Sequence, residues 1–158
     1  MRKGKIVDIY IAAKTDDTPL VQERITVLAN QGIVGDRYFQ PQPGLALETL
    51  PPRKEDLSLI SAQELKSFNE QFDLDIPYGD FRRNIITTGI DLNALVGKQF
   101  RIGSVLCLGM ELCEPCSKLA RTVNSLVLPH LVSKAGLRAA VLEPGEIACD
   151  DEIIELGS

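Results

Sequence analysis

At 158 residues and 17.3 kDa the chain has the length of one ordinary domain, enough to bury about two-thirds of its unfolded surface in a single core. A hydrophobic fraction of 44% with 25% charged residues excludes wholesale disorder. The net charge of -5, with no basic stripe, disfavours non-specific binding to the phosphate backbone of nucleic acid.

The N-terminus, Met1-Arg2-Lys3-Gly4-Lys5, runs into an alternating segment rather than an apolar leader, and no apolar run long enough to span a bilayer occurs. A cytoplasmic protein without membrane attachment is expected. Its four cysteines, Cys107, Cys113, Cys116 and Cys149, are then expected to be reduced rather than paired. From Ile6 to Ala13 the odd residues Val7, Ile9, Ile11 and Ala13 oppose Asp8 and Tyr10, the period of a half-buried strand. A second short strand is expected over Arg24 to Leu28, and Gly35-Asp36-Arg37 falls in a glycine-punctuated turn.

Between Gln40 and Arg53 stand Pro41, Pro43, Gly44, Pro51 and Pro52, which exclude a regular helix and predict a surface loop, either a lid or a plain insertion. Leu57 to Ile60 reads as a strand, and Ser61-Ala62-Gln63-Glu64 as a capping box opening a helix to about Phe72. Leu65, Phe68 and Phe72 form its core-facing stripe. The run Phe81 to Gly89 is β-prone, so Arg82 and Arg83 are expected to point to opposite sides of a strand. A turn is expected at Gly97, and Phe100 to Leu112 alternates as one long strand in which Gly103 and Gly109 mark bulges or close backbone approach.

Beyond Cys116 a helical stripe of Leu119, Val123, Leu126 and Val127 is predicted, with a second short helix from Pro129 to Gly136. The chain ends in strands, Leu137 to Leu142 and Ile147 to Leu156, and shows no repeat or linker. One domain over 1–158, mixed α/β but mainly β, is the expected organisation. A long strand bent by glycines suits a barrel better than a flat sheet.

The chemistry centres on Cys113-Glu114-Pro115-Cys116. Cys116 is placed at or just before a helix N-terminus, where free amides and the helix dipole favour thiolate, the nucleophilic and metal-binding form. It is the chemical thiol on this reading. The spacing also admits a dithiol cycle of Cys113 with Cys116, a zinc module built from Cys107, Cys113, Cys116 and Cys149, or plain packing. His130, the sole histidine, comes directly after Pro129 and is read as structural before catalytic. Arg37, Arg82, Arg83 and Arg138 are candidates for a bidentate grip on an oxyanion, with surface ion pairing as the plain alternative.

In order, Gly35-Asp36-Arg37, Arg82-Arg83-Asn84-Ile85, the segment Asp91 to Gly103, Glu114-Pro115-Cys116 and Gly136-Leu137-Arg138-Ala139 resemble the MOSC domain, named after the C-terminal domain of molybdenum cofactor sulfurase. The resemblance implies a β-barrel with peripheral helices and a cysteine that carries sulfur or ligates molybdenum, a role that falls on Cys116. It implies a neighbouring pocket for the anionic pterin of the molybdenum cofactor (molybdopterin). At family level it also implies an association with pyridoxal phosphate. Asp36, Arg37, Arg82, Asn84 and Arg138 are the matching pocket residues, with Arg82-x-Asn84 as the preferred register and Arg83 as the other reading. The activities implied are sulfur transfer and molybdenum-dependent reduction of N-hydroxylated compounds, with a partner protein that passes on sulfur or cofactor. The chain departs from the family at Cys149-Asp150-Asp151, where a Gly-Asp turn is usual, and in carrying Cys113.

Overall fold

In a computed structural model of the chain, residues 2–41, 50–114, 130–131 and 134–157 are described. The strands are β1 (Lys3–Ile11), β2 (Leu20–Gln22), β3 (Arg24–Leu28), β4 (Gly32–Ile33), β5 (Leu57–Ser61) and β6 (Ile85–Thr88), then β7 (Gln99–Ile102), β8 (Val105–Leu112), β9 (Leu137–Glu143), β10 (Gly145–Ala148) and β11 (Glu152–Glu155). A helix, α1 (Ala62–Gln71), comes after β5, and short 3-10 helices cover Tyr78–Phe81 and Leu92–Leu95.

Seven strands close into a barrel in the order β1, β11, β7, β8, β9, β5, β6 and back to β1. β1 is the seam. One of its edges pairs with β6, and the other takes β11 at Lys3–Lys5 and β2 at Ile9–Ile11. Closure leaves no long unpaired edge within the barrel. All barrel pairs are antiparallel except β5 with β6, and a parallel pair needs a crossover connection, which the chain supplies through α1. A smaller sheet, β10-β3-β4, lies beside it.

Inward residues of the barrel, among them Ile9, Leu59, Ile85, Phe100, Val105 and Leu137, form the main core. Burying each such side chain contributes roughly 2 kcal/mol. The outward residues Ile60 of β5 and Ile86 of β6 belong to a second core, completed by Leu65 and Phe68 of α1, Phe81, Cys113, Leu131 and Ala135. There Phe68 meets Phe81 edge-on, with ring centroids 6.0 Å apart.

The mainly β barrel is the architecture the sequence implies, and β3 has the predicted bounds. Four local expectations are corrected. In β1 the buried pair is Ile6 and Ile9, whereas Val7 is exposed, because a bulge between Ile6 and Asp8 breaks the alternation. Phe100 to Leu112 is not one strand but the hairpin β7–β8, in which Ile102 pairs with Val105 across Gly103-Ser104. Gly103 takes φ +56°, the left-handed conformation such a tight turn needs. The strand expected from Phe81 starts only at Ile85: Tyr78–Phe81 is a 3-10 turn and Arg82 itself has φ +65°. Finally, Ser61 is the N-cap of α1 without a side-chain capping bond, its hydroxyl being hydrogen-bonded to Gln63 instead.

At the last hairpin Asp150 adopts φ +71°, the left-handed conformation of a tight turn. Residues 42–49 of the breaker-rich loop and the helix expected beyond Cys116 lie outside the described residues, and of the short helix expected from Pro129 to Gly136 the described stretch Lys134 to Gly136 is turn rather than helix. Among the described residues no helix is long and apolar enough to cross a membrane.

Candidate functional site

The site begins where β8 ends. Gly109 lies so close to the preceding turn that a Cβ there would stand 2.0 Å from the Leu95 carbonyl oxygen, and β8 is bulged between Gly109 and Glu111. The bulge reverses the facing of the residues beyond it: Cys107 belongs to the barrel interior and Leu112 packs against that same core, while Cys113 turns outward into the second core. Cys113 thus stands on the outer face of the barrel.

Cys113 is held by the chain that leads into β9. Its amide donates to the Gly136 carbonyl at 2.8 Å, and Arg83 Nε donates to the neighbouring Ala135 carbonyl at 2.9 Å. Gly136 has φ +109°, and a Cβ on it would lie 2.1 Å from the Leu59 carbonyl oxygen, so only glycine lets this peptide press against β5. Beside Gly136 a polar cleft of about 470 Å³ opens between the start of α1 and the loop that includes Asp91 and Asn93, with Lys134 on its wall.

Arg83 and Arg138 both act on the Cys113 thiol. Burial pushes its pKa up, the two guanidiniums pull it back, and Glu111 and Glu114 raise it again, for a net upward shift. Cys113, only 2% exposed, is thus a neutral thiol near pH 7. Burial pushes the Cys107 thiol up much further. Limiting iodoacetamide in the reduced protein should accordingly modify Cys116 well ahead of Cys107 and Cys113; peptide mapping that finds Cys113 labelled first would contradict this.

Arg138, on β9, stands opposite Glu111 on one neighbouring strand and Ser58 on the other. Glu111 is paired with Lys54 at 3.0 Å, and Arg138 makes no ion pair among the described residues. The other expected pocket residues sit on the turns and strand ends around β1. Asp36 is buried and accepts from the Ala12 amide at 3.1 Å, fixing the Gly35-Asp36-Arg37 turn to the end of β1. Arg37 lies over the Tyr38 ring, 4.6 Å from its centroid, and reaches Asp36 and the Arg82 carbonyl with longer contacts of 3.5 and 3.4 Å. The Arg82 guanidinium donates to the Thr15 and Asp17 carbonyls at 2.6 and 3.0 Å and braces the loop after β1. Asn84 is buried and exchanges hydrogen bonds with Ser58 and with the Tyr10 carbonyl, so it ties β1, β5 and β6 together. Cys116 lies outside the described residues.

Of the two adjacent arginines it is Arg83, the alternative register, that the fold brings to Cys113, because the left-handed turn at Arg82 sends that side chain to the opposite loop. His130 is exposed and its ring centroid is 4.4 Å from that of Phe72. The four-cysteine zinc module is corrected. Cys107 is buried inside the barrel and Cys113 in the second core outside its wall, so the two do not share a tetrahedral site. Among the described residues no three His, Cys, Asp or Glu side chains gather as a metal site.

Residues 39–154 match the model of the MOSC domain, a range that begins just after Gly35-Asp36-Arg37. In fold the chain is similar to the YuaD protein of Bacillus subtilis, with a TM-score of 0.80 and 18% identity over 99% of this chain and 97% of that one. It is also similar to YiiM of Geobacillus stearothermophilus, with a TM-score of 0.69 and 18% identity over 98% of this chain and 75% of that one. YiiM of Escherichia coli gives the same score and identity over 100% and 71%. No curated protein matches the chain at the sequence level.

Proposed function

The chain belongs to the MOSC domain family, generally linked to molybdenum cofactor binding or sulfur transfer, and on that footing we propose that it binds the molybdenum cofactor, with Cys116 as the thiolate ligand. One observation carries the choice of cofactor binding over a bare sulfur carrier. Arg83, bonded to the Ala135 carbonyl, and Arg138, opposite Glu111 on β8, both bring positive charge to Cys113, three positions before Cys116, and Arg138 has no counter-ion among the described residues. A persulfide alone needs no such pair, whereas the phosphate of a pterin cofactor fits a guanidinium fork that keeps its charge at any working pH.

The donor set fits the group in kind: guanidiniums for its phosphate and a soft sulfur for its metal. When bound, the cofactor supplies two-electron oxygen-transfer chemistry, the class that reduction of an N-hydroxylated compound requires. The protein's own contribution is positional. The Gly136 carbonyl fixes the Cys113 amide, while Arg83, anchored on Ala135, holds positive charge beside Cys113. Arg37, Asp36, Asn84 and Arg82 shape the neighbouring turns. The cleft lined by Asp91, Asn93 and Lys134 is the adjoining space for a small substrate, and a partner protein that delivers sulfur or cofactor belongs to the same proposal.

Native mass spectrometry of freshly purified protein tests the reading. A bound species with the mass of a pterin cofactor is expected in the wild type, reduced about tenfold or more in Arg138→Ala with the fold retained. A bare adduct of about 32 Da, one sulfur atom, in place of the pterin would move the assignment to a persulfide carrier.

A further inference from the structure

We propose that Arg53 and Asp56, remote from the thiol in sequence, are positioning residues that set the Gly35-Asp36-Arg37 turn and with it the guanidinium of Arg37. Asp56 precedes β5 and is 1% exposed. One of its oxygens accepts the Val141 amide of β9 at 3.0 Å, and the other accepts Arg53 Nη1 at 2.9 Å. The second terminal nitrogen of Arg53 donates to the Tyr38 carbonyl. One guanidinium thus joins the barrel wall to the residue whose ring carries Arg37.

The space for this bridge is made by Gly32, where φ is +98° and a Cβ would stand 3.3 Å from Arg53 Nη1. The turn is held from its far side as well, by the Asp36 bonds to the Ala12 and Tyr38 amides. Arg37 itself is gripped loosely, through the 3.5 and 3.4 Å contacts and the face of Tyr38. Its orientation therefore depends on where Tyr38 sits. A buried ion pair contributes little net stability over apolar side chains of equal volume, so stability alone does not account for the Arg53–Asp56 pair, while a fixed bidentate bridge to Tyr38 does. The functional meaning of the inference rests on the reading of Arg37 as an anion-facing residue; the positioning itself does not.

NMR of the Arg37 Nε–H group decides the matter. Arg53→Lys keeps the charge against Asp56 but loses the fork, and Asp56→Asn keeps the shape but removes the counter-charge. In both folded variants exchange of the Arg37 Nε–H with water should quicken about tenfold and its ring-current shift from Tyr38 should collapse. Arg24→Lys, at an exposed pair with Glu146, should leave it unchanged. An unaltered Arg37 signal in either variant would overturn the proposal, and so would loss of the fold in both, since the pair would then be a stability element. Titration of the same samples with inorganic phosphate separates the two layers: an Arg37 signal that moves in the variants but ignores phosphate in the wild type refutes the anion-facing reading and leaves the positioning role intact.

Discussion

Cys116→Ser is expected to abolish cofactor loading, a loss of roughly a hundredfold or more, while Cys113→Ser retains most of it. Serine keeps the approximate shape of cysteine but removes the soft, ionisable sulfur on which metal ligation depends. Cys113 is a different case, because its thiol is buried among Leu65, Phe68 and Leu131 and is kept neutral there. A hydroxyl in that apolar setting should cost about 1–3 kcal/mol of stability, so Cys113→Ser should melt lower yet still load. A dithiol cycle needs one sulfur to attack and another to resolve, and would lose function equally in both variants. Loading measured beside thermal melting distinguishes these outcomes. Equal loss in two well-folded proteins would replace the single-thiol account with a dithiol oxidoreductase.

Gly136→Ala should be severely damaging, because it adds backbone strain to a steric clash. The backbone there has φ +109°, which an L side chain resists, and the added Cβ would be driven against the Leu59 carbonyl, backbone that has no flexible end to swing away. Strain and overpacking together should cost roughly 4 kcal/mol, which for a domain of this size lowers Tm by about 10 °C. Because the Gly136 carbonyl receives the Cys113 amide, the same change should loosen the end of β8 and make Cys113 alkylate faster. A Tm within about 2 °C of the wild type would show that the segment relaxes freely and does not fix the thiol region.

The barrel is legible in the sequence because its strands are dictated by short-range alternation, as in β3, which has the expected bounds and buries Ile25 and Val27 in alternation. The features that escape are set by single-residue backbone events that alternation cannot register. The bulge at Ile6–Asp8 exchanges Val7 for Ile6 on the inner face, and the two-residue turn at Gly103-Ser104 continues the run of apolar residues from one strand into the next. Gly103 and Gly109 are visible as irregular points, but only the fold shows that the first is a turn and the second a close approach with a bulge beside it.

The same limit applies to the site. The motif order brings Asp36, Arg37, Arg82, Asn84 and Arg138 into view, yet a left-handed Arg82 sends its guanidinium to Thr15 and Asp17 and leaves Arg83 beside Cys113. Asn84, expected at the cofactor, spends its side chain on Ser58 and Tyr10, a cross-strand match with no local signature. Arg53 and Asp56 give no signal at all, since an Arg and an Asp three positions apart after a proline pair read as ordinary surface.

The molybdenum-to-protein ratio of the chain, purified without chelators from cells that make the cofactor and measured by inductively coupled plasma mass spectrometry, decides whether the protein holds the cofactor. Cofactor binding through Cys116 predicts molybdenum approaching one atom per chain in the wild type, its loss in Cys116→Ser, and no stoichiometric zinc. One zinc per chain, or molybdenum retained undiminished in a folded Cys116→Ser protein, would contradict it.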